Sequence, residues 1–170
     1  MADSFQLEIV TPEKLVVKDS AEEAQIPATT GYIGVLPGHA PLITELGAGE
    51  ISYRSGGQVH RFATAWGFAE ILPDRVTVLA ETVEPAEQID VTRAQQDLAK
   101  AEDELKSAES EEEVSDDLGK VRRAQARIEV ADIPGKPGAY KAVAFLRPHF
   151  QLDELTVSLR LVSELPAPAK

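Results

Sequence analysis

The 170-residue sequence contains no cysteine, one methionine and one tryptophan. Without cysteine there is no disulfide framework and no thiolate metal site, a composition compatible with a reducing compartment. Basic residues are also scarce: 17 Lys and Arg stand against 29 Asp and Glu, a net charge of -12. Such a chain is a poor partner for nucleic acid, because neutralising phosphates needs clustered Lys and Arg. It is equally repelled from an anionic lipid surface. No apolar run approaches the roughly 18 residues of a membrane span. The N-terminal "MADSFQLEIVTPEK" lacks a basic, apolar leader and the Arg-rich look of a transit peptide. The expectation is therefore a cytoplasmic protein, unless a larger assembly carries it to a membrane. No Gly-x-x-x-x-Gly-Lys phosphate loop, nucleophile elbow or Ser-x-x-Lys motif occurs. His39, His60 and His149 are too scattered in sequence to suggest zinc.

What is present divides into three textures, read as residues 1–84, 85–131 and 132–170. In the first, "FQLEIV" alternates Phe5, Leu7 and Ile9 with Gln6, Glu8 and Val10. "KLVV", "AQIPA", "GEISYR", "QVHRFA", "WGFAEIL" and "RVTVLAE" follow, separated by turn signals such as "SGG" and "LPD". Many short strands at this spacing predict an antiparallel sandwich or barrel.

The second region changes period. Ala94, Leu98, Ala101, Leu105 and Ala108 recur every three or four residues, and Val114, Leu118, Val121 and Ile128 continue the pattern with Gln125 in the seam. Between them, Ser110 to Glu113 has the spacing of a helix capping box. Two helices folded into an antiparallel hairpin are expected, with one long helix as the alternative. An alanine seam buries little area, so the hairpin should be weakly held and able to move as a unit. In the third region, "DIPGKPGAYK" breaks any helix, and "TVSLRLVSEL" suits either an alternating strand or a short helix.

"GYIGVLPGHAPL", residues 31–42, combines turn formers with large apolar side chains. Pro37-Gly38 suits the centre of a type II turn. Gly31 and Gly34 would allow a second bend, gathering Tyr32, Val35, Leu36 and Leu42 with His39 just beyond. Such a segment is either a sandwich corner facing the core or an apolar docking edge for another protein.

This stretch, after "FQLEIVTPEK" and followed by "GEISYR", "WGFAEILPDRVTVLAET", "IDVTRA" and "KVRRAQARIEV", resembles the epsilon subunit of F-type ATP synthase over residues 5 to about 131. The resemblance implies a ten-stranded β-sandwich followed by a two-helix C-terminal domain, in a non-catalytic subunit of the central stalk. It implies docking on the gamma subunit and the c-ring, for which Tyr32, Val35, His39 and Leu42 are the candidates here. It further implies contact with the catalytic alpha/beta ring when the hairpin extends, no required cofactor, and a peripheral location on the cytoplasmic face of the plasma membrane. Trp66 stands where the family often has glycine, and residues after 131 have no counterpart in typical members.

"IDVTRA" matches a motif of family members that bind regulatory ATP. The resemblance thus implies a nucleotide site at Glu84, Ile89, Asp90, Arg93, Ala94, Arg123 and Arg127, with Lys100 where an arginine is sometimes used. Independently, an antiparallel hairpin turning near residue 110 sets Arg93 opposite the region of Arg127, with Arg123, Arg122 and Lys120 nearby. Arginine forks suit phosphate. The alternative is that these arginines simply pair with Asp90, Asp97 and Glu129, as helix surfaces often do. Two other functions compete with a rotor subunit: a free-standing β-sandwich ligand-binding module with a helical oligomerisation tail, and a jelly-roll metalloenzyme built on His39 and His60.

Overall fold

The computed structural model describes residues 3–131. Eight strands come first: β1 (Phe5–Val10), β2 (Leu15–Ala21), β3 (Glu23–Ala28), β4 (Gly31–Val35), β5 (Leu42–Glu45), β6 (Gly49–Ser55), β7 (Gln58–Ile71) and β8 (Arg75–Pro85). A 3-10 turn at Ala86–Gln88 leads into α1 (Val91–Ser107) and α2 (Glu111–Ala131). "TVSLRLVSEL" and the rest of 132–170 lie outside the described residues.

Strand pairing makes this a sandwich. One layer runs β2-β1-β8-β7-β5, using Arg75–Leu79 of β8 and Phe68–Ile71 of β7. The other runs β4-β3-β6-β7-β8, using Gln58–Thr64 of β7 and Thr82–Pro85 of β8. β7 and β8 pass from one layer to the other, so "QVHRFA" and "WGFAEIL" are halves of one continuous strand. Counted layer by layer there are ten strand segments, which reconciles eight strands with the ten expected. All pairings are antiparallel except β1 with β8.

The alternation read in "FQLEIV" holds: Phe5, Leu7 and Ile9 are buried with Ile26, Leu46, Ile51, Ile71, Val76 and Val78 in one core between the layers. The segment "GYIGVLPGHAPL" differs from expectation in one respect. "GYIGV" is a strand, paired with β3 from Ala28↔Gly31 to Ala24↔Val35, and the bend lies just before it. The glycine that takes up that bend is Gly31, at φ 132°, while Gly34 stays in the ladder. The Pro37-Gly38 turn forms as read. Gly38 has φ 81° and the His39 amide donates to the Leu36 carbonyl at 3.1 Å.

The hairpin turns where the capping box predicts. The Glu113 amide donates to Ser110 Oγ at 3.2 Å, and Glu113 Oε2 accepts from the amides of Glu109 (2.8 Å) and Ser110 (3.2 Å). Those two amides hold the Glu113 carboxyl below the usual carboxylate range. A lowered folded-state value means the cap stabilises fully above pH 4.5 and loses its contribution as pH falls through the lowered value. Protection of the Glu109 and Ser110 amides, measured relative to their intrinsic exchange rates, should therefore fall in acid, and Glu113→Gln should abolish that pH dependence.

The α1 seam is the one expected, with Leu98, Leu105 and Ala108 half-buried beside its buried alanines, but the α2 seam differs. On α1 the buried residues are Ala94 and Ala101; on α2 they are Asp117, Ala124, Ala126 and Val130, while Val114 and Leu118 are exposed. The reason is that α2 has two neighbours, packing against α1 on one side and against β6 and β7 on the other. A single-stripe reading assigns one face and places Leu118 where Asp117 falls. Asp117 is accommodated by an ion pair with Lys120 at 2.7 Å.

Candidate functional site

Between the hairpin and the exposed side of β7–β8 lies a cavity of about 630 Å³. Ala63, Thr64, Thr82 and Val83 line its sheet side; Arg93, Lys100 and Ala101 from α1 and Lys120, Arg123 and Ala124 from α2 line the helical side. Its charged groups are the cations Arg93, Lys100, Lys120, Arg123 and Arg127 and the carboxylates Glu84, Asp97 and Glu104, five against three. In a chain of net charge -12 this is a local inversion of sign.

Arg127 is the hub. Its Nε donates to Glu84 Oε2 at 2.8 Å, and its Nη1 to Asp97 Oδ2 at 3.0 Å. The guanidinium thus ties α2 to β8 and to α1, and the hydrogen bonds it donates to Glu84 strengthen its charged form further. Lys120 bridges Asp117 (2.7 Å) and Glu104 (2.8 Å), which raises its pKa and lowers that of Glu104. Lys100 reaches Glu104 only at 3.6 Å. Arg93 and Arg123 line the cavity and make no ion pair with any described residue.

Of the seven candidate nucleotide residues, the fold gathers Glu84, Arg93, Arg123 and Arg127 around the cavity. Ile89, Asp90 and Ala94 do not line it. The Asp90 carboxylate caps α1, accepting from the Arg93 amide at 3.0 Å. Ala94 is fully buried and Ile89 half-buried. The pairing alternative is realised for Arg127 with Asp97, together with Glu84, and not for Arg93. Thr64 and Thr82, on the sheet side, carry no signal in the sequence. They face the site only because β7 and β8 pair there, Thr64 Oγ1 donating to the Thr82 carbonyl at 3.0 Å.

The docking candidates separate. Val35 is 1% exposed and belongs to the core, so it is withdrawn from any partner surface: as the last residue of β4 it points between the layers. Tyr32 is exposed at its edge, and its hydroxyl accepts from the Glu50 amide at 3.1 Å. His39 is half-buried, with Nδ1 2.7 Å from the Ala40 carbonyl, and Leu42 is exposed. Within residues 31–42 Leu36 is the most exposed apolar residue (61%), and beyond them a second apolar surface lies at Ile43 (71%), Phe68 (57%) and Leu79 (54%). Phe68 is paired directly with Leu79 and with Glu45, two residues along from Ile43, so all three share one outward face. The sequence carried the signal: Phe68 and Leu79 stand on the outward phase of alternating strands whose inward phase is Ala69, Ile71, Val76 and Val78.

Among the described residues no group of three His, Asp or Glu side chains is placed to hold a metal, and no helix is long and apolar enough to cross a membrane. His60 stacks on Tyr53, ring centroids 4.8 Å apart.

Residues 4–86 match the family model described as ATP synthase, Delta/Epsilon chain, beta-sandwich domain. A second model, EvpB/VC_A0108, tail sheath gpW/gp25-like domain, matches residues 108–165, of which the described part is the hairpin turn and α2. The ATP synthase epsilon chain of Koribacter versatilis is 66% identical over 96 residues, 56% of this chain and 68% of that one. That of Solibacter usitatus is 41% identical over 132 residues, covering 78% of this chain and 98% of its own length. The fold is shared with a chain of the Euglena gracilis mitochondrial ATP synthase at TM-score 0.69 and 18% identity, over 78% of this chain and 84% of that one. A chain of the Tetrahymena thermophila mitochondrial ATP synthase central stalk and c-ring matches at 0.56 and 8%, over 75% and 96%. With a sandwich, a hairpin folded against it and relatives matched over nearly their whole length, the chain belongs to the family of ATP synthase epsilon chains.

Proposed function

We propose that the chain is a non-catalytic subunit of the central stalk, coupling the gamma subunit to the c-ring and restraining ATP hydrolysis through its hairpin. The observation that carries the regulatory half is the cation-rich cavity between hairpin and sandwich, closed by a single arginine that ties three elements together. The outward Ile43–Phe68–Leu79 face suits gamma, and the exposed apolar residues around the Pro37-Gly38 turn, Leu36 and Leu42, suit the c-ring. Membership of the synthase would hold the chain peripherally on the cytoplasmic face of the plasma membrane.

In this reading ATP binds the compact state described here. Its phosphates would sit against Arg93 and Arg123, which pair with no carboxylate among the described residues, and its less polar part against the strand residues Ala63 and Val83. Binding only the compact state, ATP would draw the hairpin away from an extended, inhibitory state in which α2 reaches the alpha/beta ring. For that to matter the two states must lie within a few kcal/mol of each other, and the Ala94–Ala101–Ala124 seam supports a small gap. The test is a chain ended after Glu87, assembled into the synthase. Hydrolysis should rise relative to the full-length assembly, most at low ATP, while gamma still co-purifies. Unchanged hydrolysis overturns the regulatory half, and loss of gamma on mutating Phe68 and Leu79 to Ser is the result expected for the docking half.

A further inference from the structure

Trp66 is the chain's sole tryptophan and, among the described residues, the one non-glycine residue with positive φ, at 52°. A left-handed backbone is unfavourable for so bulky a side chain and persists only where the surroundings compensate it. The ladder does not require a side chain there: it is carried by the neighbours, Ala65 opposite Thr82 and Gly67 opposite Ala80.

The compensation lies across the interface with α2. Gly119 sits inside that 21-residue helix, where glycine is a poor helix former. A Cβ on Gly119 would meet Trp66 Cζ2 at 3.0 Å and Cη2 at 3.4 Å. Two locally unfavourable choices, a bulky residue on a left-handed backbone and a glycine in mid-helix, therefore meet in one contact. We propose that Trp66 and Gly119 form a latch that fastens α2 onto the sandwich, and that this pair sets how readily the hairpin detaches. The glycine removes the one atom that would hold the helix off the indole. The rest of the hairpin's attachment is lean: Ala126, Val130 and the ion-paired Asp117 are the other buried α2 residues beside the alanine seam, and Arg127 supplies the polar tie to Glu84. The consequence for hydrolysis rests on the proposed reading of the hairpin as a moving part, whereas the latch itself is a property of the isolated chain.

The test uses the full-length chain without nucleotide or other subunits, reading Trp66 emission and amide exchange. Gly119→Leu improves helix propensity, so a helix that merely carries a glycine should become better protected. The latch predicts the opposite: emission shifts to the red, and exchange over residues 111–131 accelerates about tenfold or more while β1 and β6 stay protected. Trp66→Gly should accelerate α2 exchange likewise, with the sandwich's thermal midpoint held or raised because the left-handed position now carries glycine. Unchanged emission in Gly119→Leu, unchanged or slower α2 exchange in either variant, or loss of protection throughout the strands in Trp66→Gly would overturn the latch. Because no ATP is present, these outcomes leave the nucleotide reading untouched, and failure of ATP binding leaves the latch untouched.

Discussion

Gly67→Ala is expected to unfold the sandwich's central crossing, costing about 4 kcal/mol of stability and roughly 10–15 °C of thermal midpoint. Gly67 has φ 126°, a conformation L side chains rarely adopt, in the strand that serves both layers. The steric problem is worse than the torsional one. A Cβ there would run into the Leu79 carbonyl oxygen and come within 2.9 Å of Ala80 Cα. Both are backbone atoms of the paired strand, so no rotamer change relieves the contact, and β8 would have to leave the ladder next to Val76, Val78 and Ala80 of the core. Gly56→Ala serves as the comparison. Gly56 also has positive φ, 55°, yet a Cβ there meets nothing within 4 Å, so only the torsional cost of about 1 kcal/mol applies. Thermal or urea unfolding of the two variants checks the contrast; a Gly67→Ala variant as stable as Gly56→Ala would mean that β7 and β8 do not approach as described.

Arg127→Ala is expected to detach the hairpin and to weaken nucleotide binding together. The side chain is only 17% exposed and shares two elements' carboxylates, Glu84 at 32% and Asp97 at 50%. Hydrogen bonds to charged groups contribute about 1.5–3 kcal/mol when shielded, and the more exposed Asp97 pair belongs at the low end. A loss of about 2 kcal/mol in hairpin docking is therefore expected, read as faster amide exchange over α1 and α2 with the strands unaffected. Under the proposed function the same variant should bind ATP at least tenfold more weakly, since the cavity loses both a cation and the tie that closes it. Glu84→Gln separates the two causes. It keeps a hydrogen-bond acceptor for Arg127 and removes a negative charge from the cavity, so docking should fall less than in Arg127→Ala while ATP affinity holds or rises. Equal loss of affinity in both variants would mean that Glu84 itself holds the nucleotide. A double-mutant cycle between the two positions gives the coupling energy directly.

Local patterns account for much of this protein. Alternation in "FQLEIV" and "RVTVLAE", the Ser110–Glu113 box and the Pro37-Gly38 turn each depend on residues within a few positions of one another, and each forms as its sequence dictates. Asp90 of "IDVTRA" caps α1. What failed were inferences needing a neighbour distant in the chain. On α2 the period favours Val114, Leu118, Val121 and Ile128 whereas the fold buries Asp117, Ala124, Ala126 and Val130, because its second neighbour, the β6–β7 surface, is invisible in a helical period. Val35 was assigned to a docking edge because nothing local says that β4 pairs with β3 and turns it inward.

The sequence by itself determined that strands would precede a capped helical pair, and which cations the pair would carry, because periodicity, capping and turn chemistry are short-range. Only the tertiary structure decided that β7 and β8 serve two layers, that Thr64 and Thr82 face a cavity, and that Trp66 meets Gly119. Those facts follow from long-range packing, where the position of a residue depends on elements dozens of residues away rather than on its own neighbours.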